Sequence, residues 1–234
     1  MNLRQWCILL LLCSVTGTNI FPRPGTQRYA YIIASSAGNL PSASRDVVTY
    51  TLLFERLGFE IYYIIEVNAH EYTQITTRLG HDINIMEISE VPKRLSQYSN
   101  DVDLAITISC HGFTSGTHDY IKFKGVVYTN EVLRTWFSQT HAKTLILVDT
   151  CHSGNMCGLD QTRRSESIIT SISSCSRSEM DQDDISSEFG FGGGLTTAFA
   201  DYIGDKTAFE IDDLYHRCQS RLQNNAMHPQ MCWL

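Results

Sequence analysis

The sequence predicts an α/β fold, a mostly parallel central sheet flanked by helices. Three observations carry the prediction. Short apolar, β-branched runs recur at 29–34, 59–65, 104–109, 144–148 and 167–173, and runs of this length read as strands buried on both faces. Segments with helical spacing alternate with them, which argues for parallel strands joined by right-handed crossovers. Two of the runs end on unusual hexads and tetrads, Ser109-Cys-His-Gly112 and Asp149-Thr-Cys-His-Ser-Gly154. The carboxyl edge of an open α/β sheet is where its chemistry collects.

In chain order, residues 18–28, with Pro22 and Pro24, read as an extended leader into a domain over 29–234. The first strand is 29–34. Apolar Val47, Val48, Leu52, Leu53, Phe54 and Leu57 give helical spacing over 44–57, stopped by Gly58. A strand at 59–65 precedes a second helix at 69–79, ended by Gly80. After the strand at 104–109, segments 120–124 and 125–128 predict a small hairpin on the rim. Thr129 caps a helix at 131–139 that returns to the strand at 144–148. A polar stretch at 155–166 leads to the strand at 167–173. A loop rich in Asp, Ser and Gly spans 176–194, before helices near 196–203 and 211–222.

The chain of 234 residues is 43% hydrophobic and 18% charged, values that fit one globular domain of ordinary make-up. Its charge of −7 gives no reason to expect nucleic acid, which needs a clustered basic face. Residues 1–17 differ from the rest: Arg4 is the only charge, residues 6–15 are almost wholly apolar, and Val15-Thr-Gly17 is small enough for cleavage. This is the pattern of a secretory signal peptide, with an uncleaved anchor as the alternative. It predicts a secreted or lumenal protein with no membrane attachment after cleavage. Six cysteines then remain: Cys110, Cys151, Cys157, Cys175, Cys218 and Cys232. An oxidising compartment invites disulfides, and spacing leaves a Cys218–Cys232 pairing open.

The chemistry rests on His111 and Cys151. Each follows a predicted strand and each stands near a glycine, so two adjoining strand ends would bring an imidazole and a thiol to one rim. A cysteine attacks as thiolate, and a nearby histidine can hold its proton or pair with it. Gly112 leaves backbone uncovered, so its N–H and that of Cys151 can approach a developing oxyanion. Gly154 allows a tight turn after the nucleophile. His152 is read as supporting the loop.

Asp149-Thr-Cys-His-Ser-Gly154 resembles the nucleophile motif of metacaspases, within the caspase-like cysteine peptidases. Ser109-Cys-His-Gly112 is similar to the family's histidine motif, with Cys110 where metacaspases more often have Gly. Further similar segments are Leu40-Pro-Ser-Ala-Ser-Arg-Asp46-Val47, Ile172-Ser-Ser-Cys175, Gly193-Gly-Leu-Thr-Thr197 and His228-Pro-Gln-Met231. The resemblance implies a caspase-like three-layer sandwich and a cysteine endopeptidase acting on protein or peptide substrates. It assigns Cys151 as nucleophile, His111 as general base or ion-pair partner, and the backbones of Gly112 and Cys151 as the oxyanion hole. It also implies that Asp46 and Asp149 line an acidic recess for a substrate Arg or Lys. Paired carboxylates favour a guanidinium on physical grounds as well. Legumain-like peptidases share the fold and leave Asn specificity as an alternative.

Asp160-Gln-Thr-Arg163-Arg164-Ser165 stands where this family is often self-processed, so Arg163 or Arg164 is the expected cut of a basic-specific enzyme, and Asp160 that of an Asp-specific one. Asp181, Asp183, Asp184 and Glu188 form an acidic cluster. Many metacaspases need calcium, and Asp160 resembles a family calcium ligand if two inserted residues are allowed. The spacing matches no EF-hand, so a solvated acidic loop is favoured and no cofactor is required. Gly190, Gly192, Gly193 and Gly194 lack a following Lys-Ser/Thr, which excludes a phosphate loop, and the histidines have no zinc spacing. A catalytically inactive binding protein and a flavodoxin-like ligand binder are the alternatives from other classes. Monomer and dimer are both compatible with the sequence.

Overall fold

A computed structural model describes residues 20–38, 40–116, 118–155, 168–176, 185–187, 190–223 and 227–233. Its centre is a six-stranded sheet built from β2 (Gln27–Ser35), β3 (Glu60–Glu66), β4 (Val102–Ser109), β8 (Lys143–Asp149), β9 (Ile169–Ser173) and β13 (Gln230–Trp233). The strand order is β13-β9-β8-β4-β2-β3. The β2, β3, β4, β8 and β9 strands run parallel and β13 closes one edge antiparallel to β9.

Helices cover both faces. Alternation along each strand assigns side chains to two cores: Leu145 and Leu147 enter one, Ile146 and Val148 the other, and Ala30, Ile32 against Tyr31, Ile33 divide in the same way. The first core is completed by α1 (Ser42–Arg56), Ile75 of α2 (Ala69–Leu79), α5 (Gly194–Ile203) and α6 (Ile211–Gln223). The second is completed by α3 (Val91–Leu95) and α4 (Asn130–Phe137). All eight residues of β4 are buried, as expected of a strand inside a parallel sheet.

Local chemistry sets the helix ends. Asn68 accepts from the Glu71 N–H while the Glu71 carboxylate accepts from the Asn68 N–H, and Gly80 leaves α2 at φ 76°. Thr129 caps α4 by accepting from Val132.

Several sequence expectations change. Residues 20–28 are not a leader outside the domain: β1 (Ile20–Phe21) pairs with β12 (Phe209–Glu210), and Phe21 is fully buried between Phe59 and Phe209 at 5.8 and 5.7 Å. Arg23 Nε meets the buried Asp103 carboxylate at 2.6 Å, so a charged pair ties this segment to β4. The rim hairpin is three-stranded, because β5 (Gly112–Ser115) precedes β6 (His118–Phe123) and β7 (Val126–Thr129). The segment 88–95 forms a short 3-10 turn and α3, and the 176–194 loop holds a hairpin of β10 (Ile185–Ser187) and β11 (Gly190–Gly192). The closing Pro-Gln-Met segment enters β13; its partner strand, not its own pattern, makes it a strand.

Candidate active site

Register builds the site. In the parallel β4–β8 pair, Ser109 stands opposite Asp149. His111 and Cys151 each lie two residues further on, so adjoining strands deliver both at the same height over the carboxyl edge. Gly112 shows how tight the approach is: a Cβ there would lie 2.1 Å from the Cys151 carbonyl oxygen and 2.8 Å from Thr150 Oγ1. Only glycine lets the two strand ends meet this closely. Both His111 and Cys151 are partly exposed.

The imidazole has a seat. His111 Nε2 lies 3.3 Å from the Gly38 carbonyl oxygen, and a Cβ on Gly38 would come within 3.1 Å of that nitrogen. Gly38 holds φ at +79°, on the loop leaving β2. A proton on Nε2 donates to this carbonyl and leaves Nδ1 as the basic nitrogen of the ring. Sequence reasoning did not find Gly38, because its role exists only once β2 and β4 lie side by side.

The loop after Cys151 is stitched to β9. Ser153 Oγ accepts from the Cys175 N–H at 3.3 Å, the Cys175 thiol donates to the Thr150 carbonyl at 3.4 Å, and the Ser174 N–H donates to Val148 at 2.9 Å. The left-handed residue of this turn is His152, at φ 56°, rather than Gly154, which is buried and offers its carbonyl to Cys232 Sγ at 3.9 Å. A non-glycine residue held there marks a backbone fixed by its surroundings.

The other cysteines stand apart. Cys110 points into the second core, and burial, with Glu66 adding to it, pushes its thiol upward and away from reactivity. Cys218 belongs to the first core and Cys232 to the second, on opposite faces of the sheet, so they do not pair. None of the five described cysteines is in a disulfide. Cys157, Asp160, Arg163, Arg164, Asp181, Asp183, Asp184 and Glu188 lie outside the described residues. Among the described residues no group of His, Cys, Asp and Glu is arranged to hold a metal ion, and no helix is long and apolar enough to cross a membrane.

Asp46 and Asp149 do come together, at the first turn of α5. Asp46 Oδ1 accepts from the Gly193 N–H at 2.9 Å and its Oδ2 from the Ser109 hydroxyl. Asp149 Oδ1 accepts from the Leu195 N–H at 3.1 Å; its Oδ2 accepts from the Thr196 N–H at 2.7 Å and hydroxyl at 2.8 Å. The pair thus satisfies the orphan N–H groups of a helix whose own N-cap, Gly193, has no side chain to do it. Both carboxylates are buried, and a Cβ on Gly193 would lie 2.4 Å from Asp149 Oδ2. Burial first, and the neighbouring Asp149 second, push Asp46 up to about 8. Arg45, one residue earlier, lines the groove between α1 and α2 instead of this recess. Ser109, Gly193 and Thr196 are hydrogen-bond partners of the acid pair that sequence patterns touched without assigning; the hydroxyls beside two acids were the available signal.

No protein-family model matches the sequence, and no curated protein matches it. Among solved structures, the chain is similar to caspase-1 from Spodoptera frugiperda, with a TM-score of 0.56 and 11% identity over 88% of this chain and 86% of that one. The fold is therefore a caspase-like α/β sandwich, a six-stranded mixed sheet between helical layers.

Proposed function

We propose that this chain is a cysteine endopeptidase of the metacaspase type, cutting after Arg or Lys. The observation that carries the reading is the β4–β8 register, which puts the segments bearing His111 and Cys151 at equal height on one rim, with Gly112 packed against the Cys151 carbonyl. In this chemistry Cys151 gives its proton to His111 and the sulfur attacks the substrate carbonyl carbon. The N–H groups of Gly112 and Cys151 receive the oxyanion of the tetrahedral adduct. Its collapse breaks the C–N bond, and the proton returns from His111 to the leaving amine. Water, deprotonated by His111, then hydrolyses the thioester and frees Cys151.

Asp149 supports basic specificity by charge, but three of the pair's four oxygens are engaged at the start of α5 and the fourth by Ser109. A substrate cation reaches Asp149 only if the Gly193–Thr196 turn withdraws, and a guanidinium then replaces the lost donors with a bidentate set. The same burial favours a second reading, in which the pair serves α5 alone and the enzyme takes a neutral residue such as Asn. Peptides bearing Arg, Lys, Asn or Asp before the scissile bond, assayed with and without calcium, decide between them. Turnover of Arg and Lys peptides that vanishes in Cys151→Ala supports the proposal. Unchanged turnover in that variant, or an Asn preference, overturns it. Secretion, a cut after Arg163 or Arg164, and protein substrates belong to this proposal; amino-terminal sequencing of the secreted form tests the first two together.

A further inference from the structure

The Gly38 carbonyl orients the His111 ring only while the loop that carries it keeps a fixed height, and the bonds that fix it converge on Glu66. This residue ends β3 and stands opposite Ser35, the last residue of β2. Its backbone carbonyl accepts from the Ser36 N–H at 2.9 Å, which carries the pairing one residue past the strand. Its carboxylate Oε2 accepts from the Ser35 hydroxyl at 2.6 Å, and Ser35 Oγ in turn accepts from the Ala37 N–H at 3.3 Å. Ala37 is the residue before Gly38. The Ser36 hydroxyl donates to the Glu71 carboxylate, which also accepts from the Asn68 N–H at the start of α2. Residues 35–37 are thus tied, directly or through Ser35, to the end of β3 and the start of α2.

The same Oε2 accepts from the Lys124 N–H at 2.7 Å. Lys124 and Gly125, at φ 48° and 75°, make the two-residue turn between β6 and β7. That hairpin holds His111 from its other side, since the Lys122 N–H donates to the His111 carbonyl at 3.3 Å. One carboxylate oxygen therefore joins the loop that meets the ring to the strand that pairs with the backbone of the same residue. Bonds to an ionised acceptor are stronger than neutral ones, and Ser35 is buried, so water competes little for its hydroxyl. We propose that Glu66 is a positioning residue for His111, fixing the ring and the tautomer with its proton on Nε2. Its effect on turnover rests on the peptidase reading; its effect on the ring does not. A ring released from its seat loses the alignment of Nδ1, and a misplacement of about 1 Å costs a reaction about a hundredfold.

Glu66→Ala and Glu66→Gln in the full chain test it. Nitrogen-15 resonances of the neutral His111 ring are read first, without substrate. Wild type is expected to carry the proton on Nε2, Glu66→Ala to show a mixture of both tautomers, and Glu66→Gln, whose amide oxygen still accepts, to keep the wild-type pattern. Ser35→Ala cuts the same link with a smaller change and should give the same mixture. In turnover of an Arg peptide, kcat of Glu66→Ala should fall at least tenfold with KM within about twofold, and Gln should restore most of it. The limb of the pH profile that reports the imidazole should move in the Ala variant alone. A purely structural role lowers the unfolding midpoint and leaves the ring resonances and the pH profile as in wild type. That result in both Glu66→Ala and Ser35→Ala, or an equal loss in the Ala and Gln variants, overturns the proposal. Wild-type protein that cuts no peptide, with ring resonances that respond as expected, refutes the peptidase reading and supports this one.

Discussion

Gly193→Ala isolates the contact that seals the acid pair. Gly193 has φ −63° and ψ 159°, a conformation open to any residue, so alanine introduces no backbone strain there. Its methyl group would instead lie 2.4 Å from Asp149 Oδ2 and 2.7 Å from Asp149 Cγ, and the latter atom belongs to a side chain held by three donors. Overpacking of this kind costs about 1–3 kcal/mol. The lost unfolded-state entropy of glycine returns about 0.4–1 kcal/mol. A net destabilisation of about 1–2 kcal/mol is expected by urea denaturation. The cause is checked by a double-mutant cycle with Asp149→Ala, which removes the atoms that collide. In that background Gly193→Ala should be neutral or stabilising. Equal stability of wild type and Gly193→Ala, or the same loss with and without Asp149, would refute the argument that this glycine exists to admit the carboxylate.

Three further outcomes follow from the same geometry. Gly112→Ala places a methyl group against the backbone oxygen of Cys151, which cannot swing aside; a loss of about 3 kcal/mol or more and of at least hundredfold activity is expected, read by denaturation and peptide turnover. The raised Asp46 makes folding take up a proton between its ordinary value of 3.8 and about 8, so this contribution to stability is full below the lower value and is lost as pH rises through the upper one. Denaturation midpoints across that window should slope downward in wild type and flatten in Asp46→Asn; an unchanged slope assigns the titration elsewhere. Ser109→Ala removes a donor that holds Asp46 down, so the titration midpoint of Asp46 should move higher and stability should fall by about 1–3 kcal/mol, measured by carboxyl carbon resonance and by urea.

The parallel core was legible because strands buried on both faces are largely apolar; Leu104–Ile106 within Val102–Ser109 and Leu145–Val148 within Lys143–Asp149 are written that way. Ala69–Leu79 was legible to the residue, since the glycine that ends it at Gly80 is a local signal. The missed strands have no such signal. Ile20–Phe21 and Gln230–Trp233 become strands through partners about 190 and 60 residues away in the chain, respectively. At the site, the motifs singled out His111, Cys151, Asp46 and Asp149, whereas the seat at Gly38 and the donors Ser109, Gly193 and Thr196 emerged only in three dimensions.

The sequence by itself determined the layer architecture, because the period of burial is written into each segment, and it determined which side chains stand at strand ends. Tertiary structure alone decided what those side chains meet. Register set His111 level with Cys151, sheet faces separated Cys218 from Cys232, and the first turn of α5 closed over two acids that the chain order leaves 103 positions apart. Periodicity is local and survives in one dimension, whereas contact between distant segments depends on how the layers are stacked.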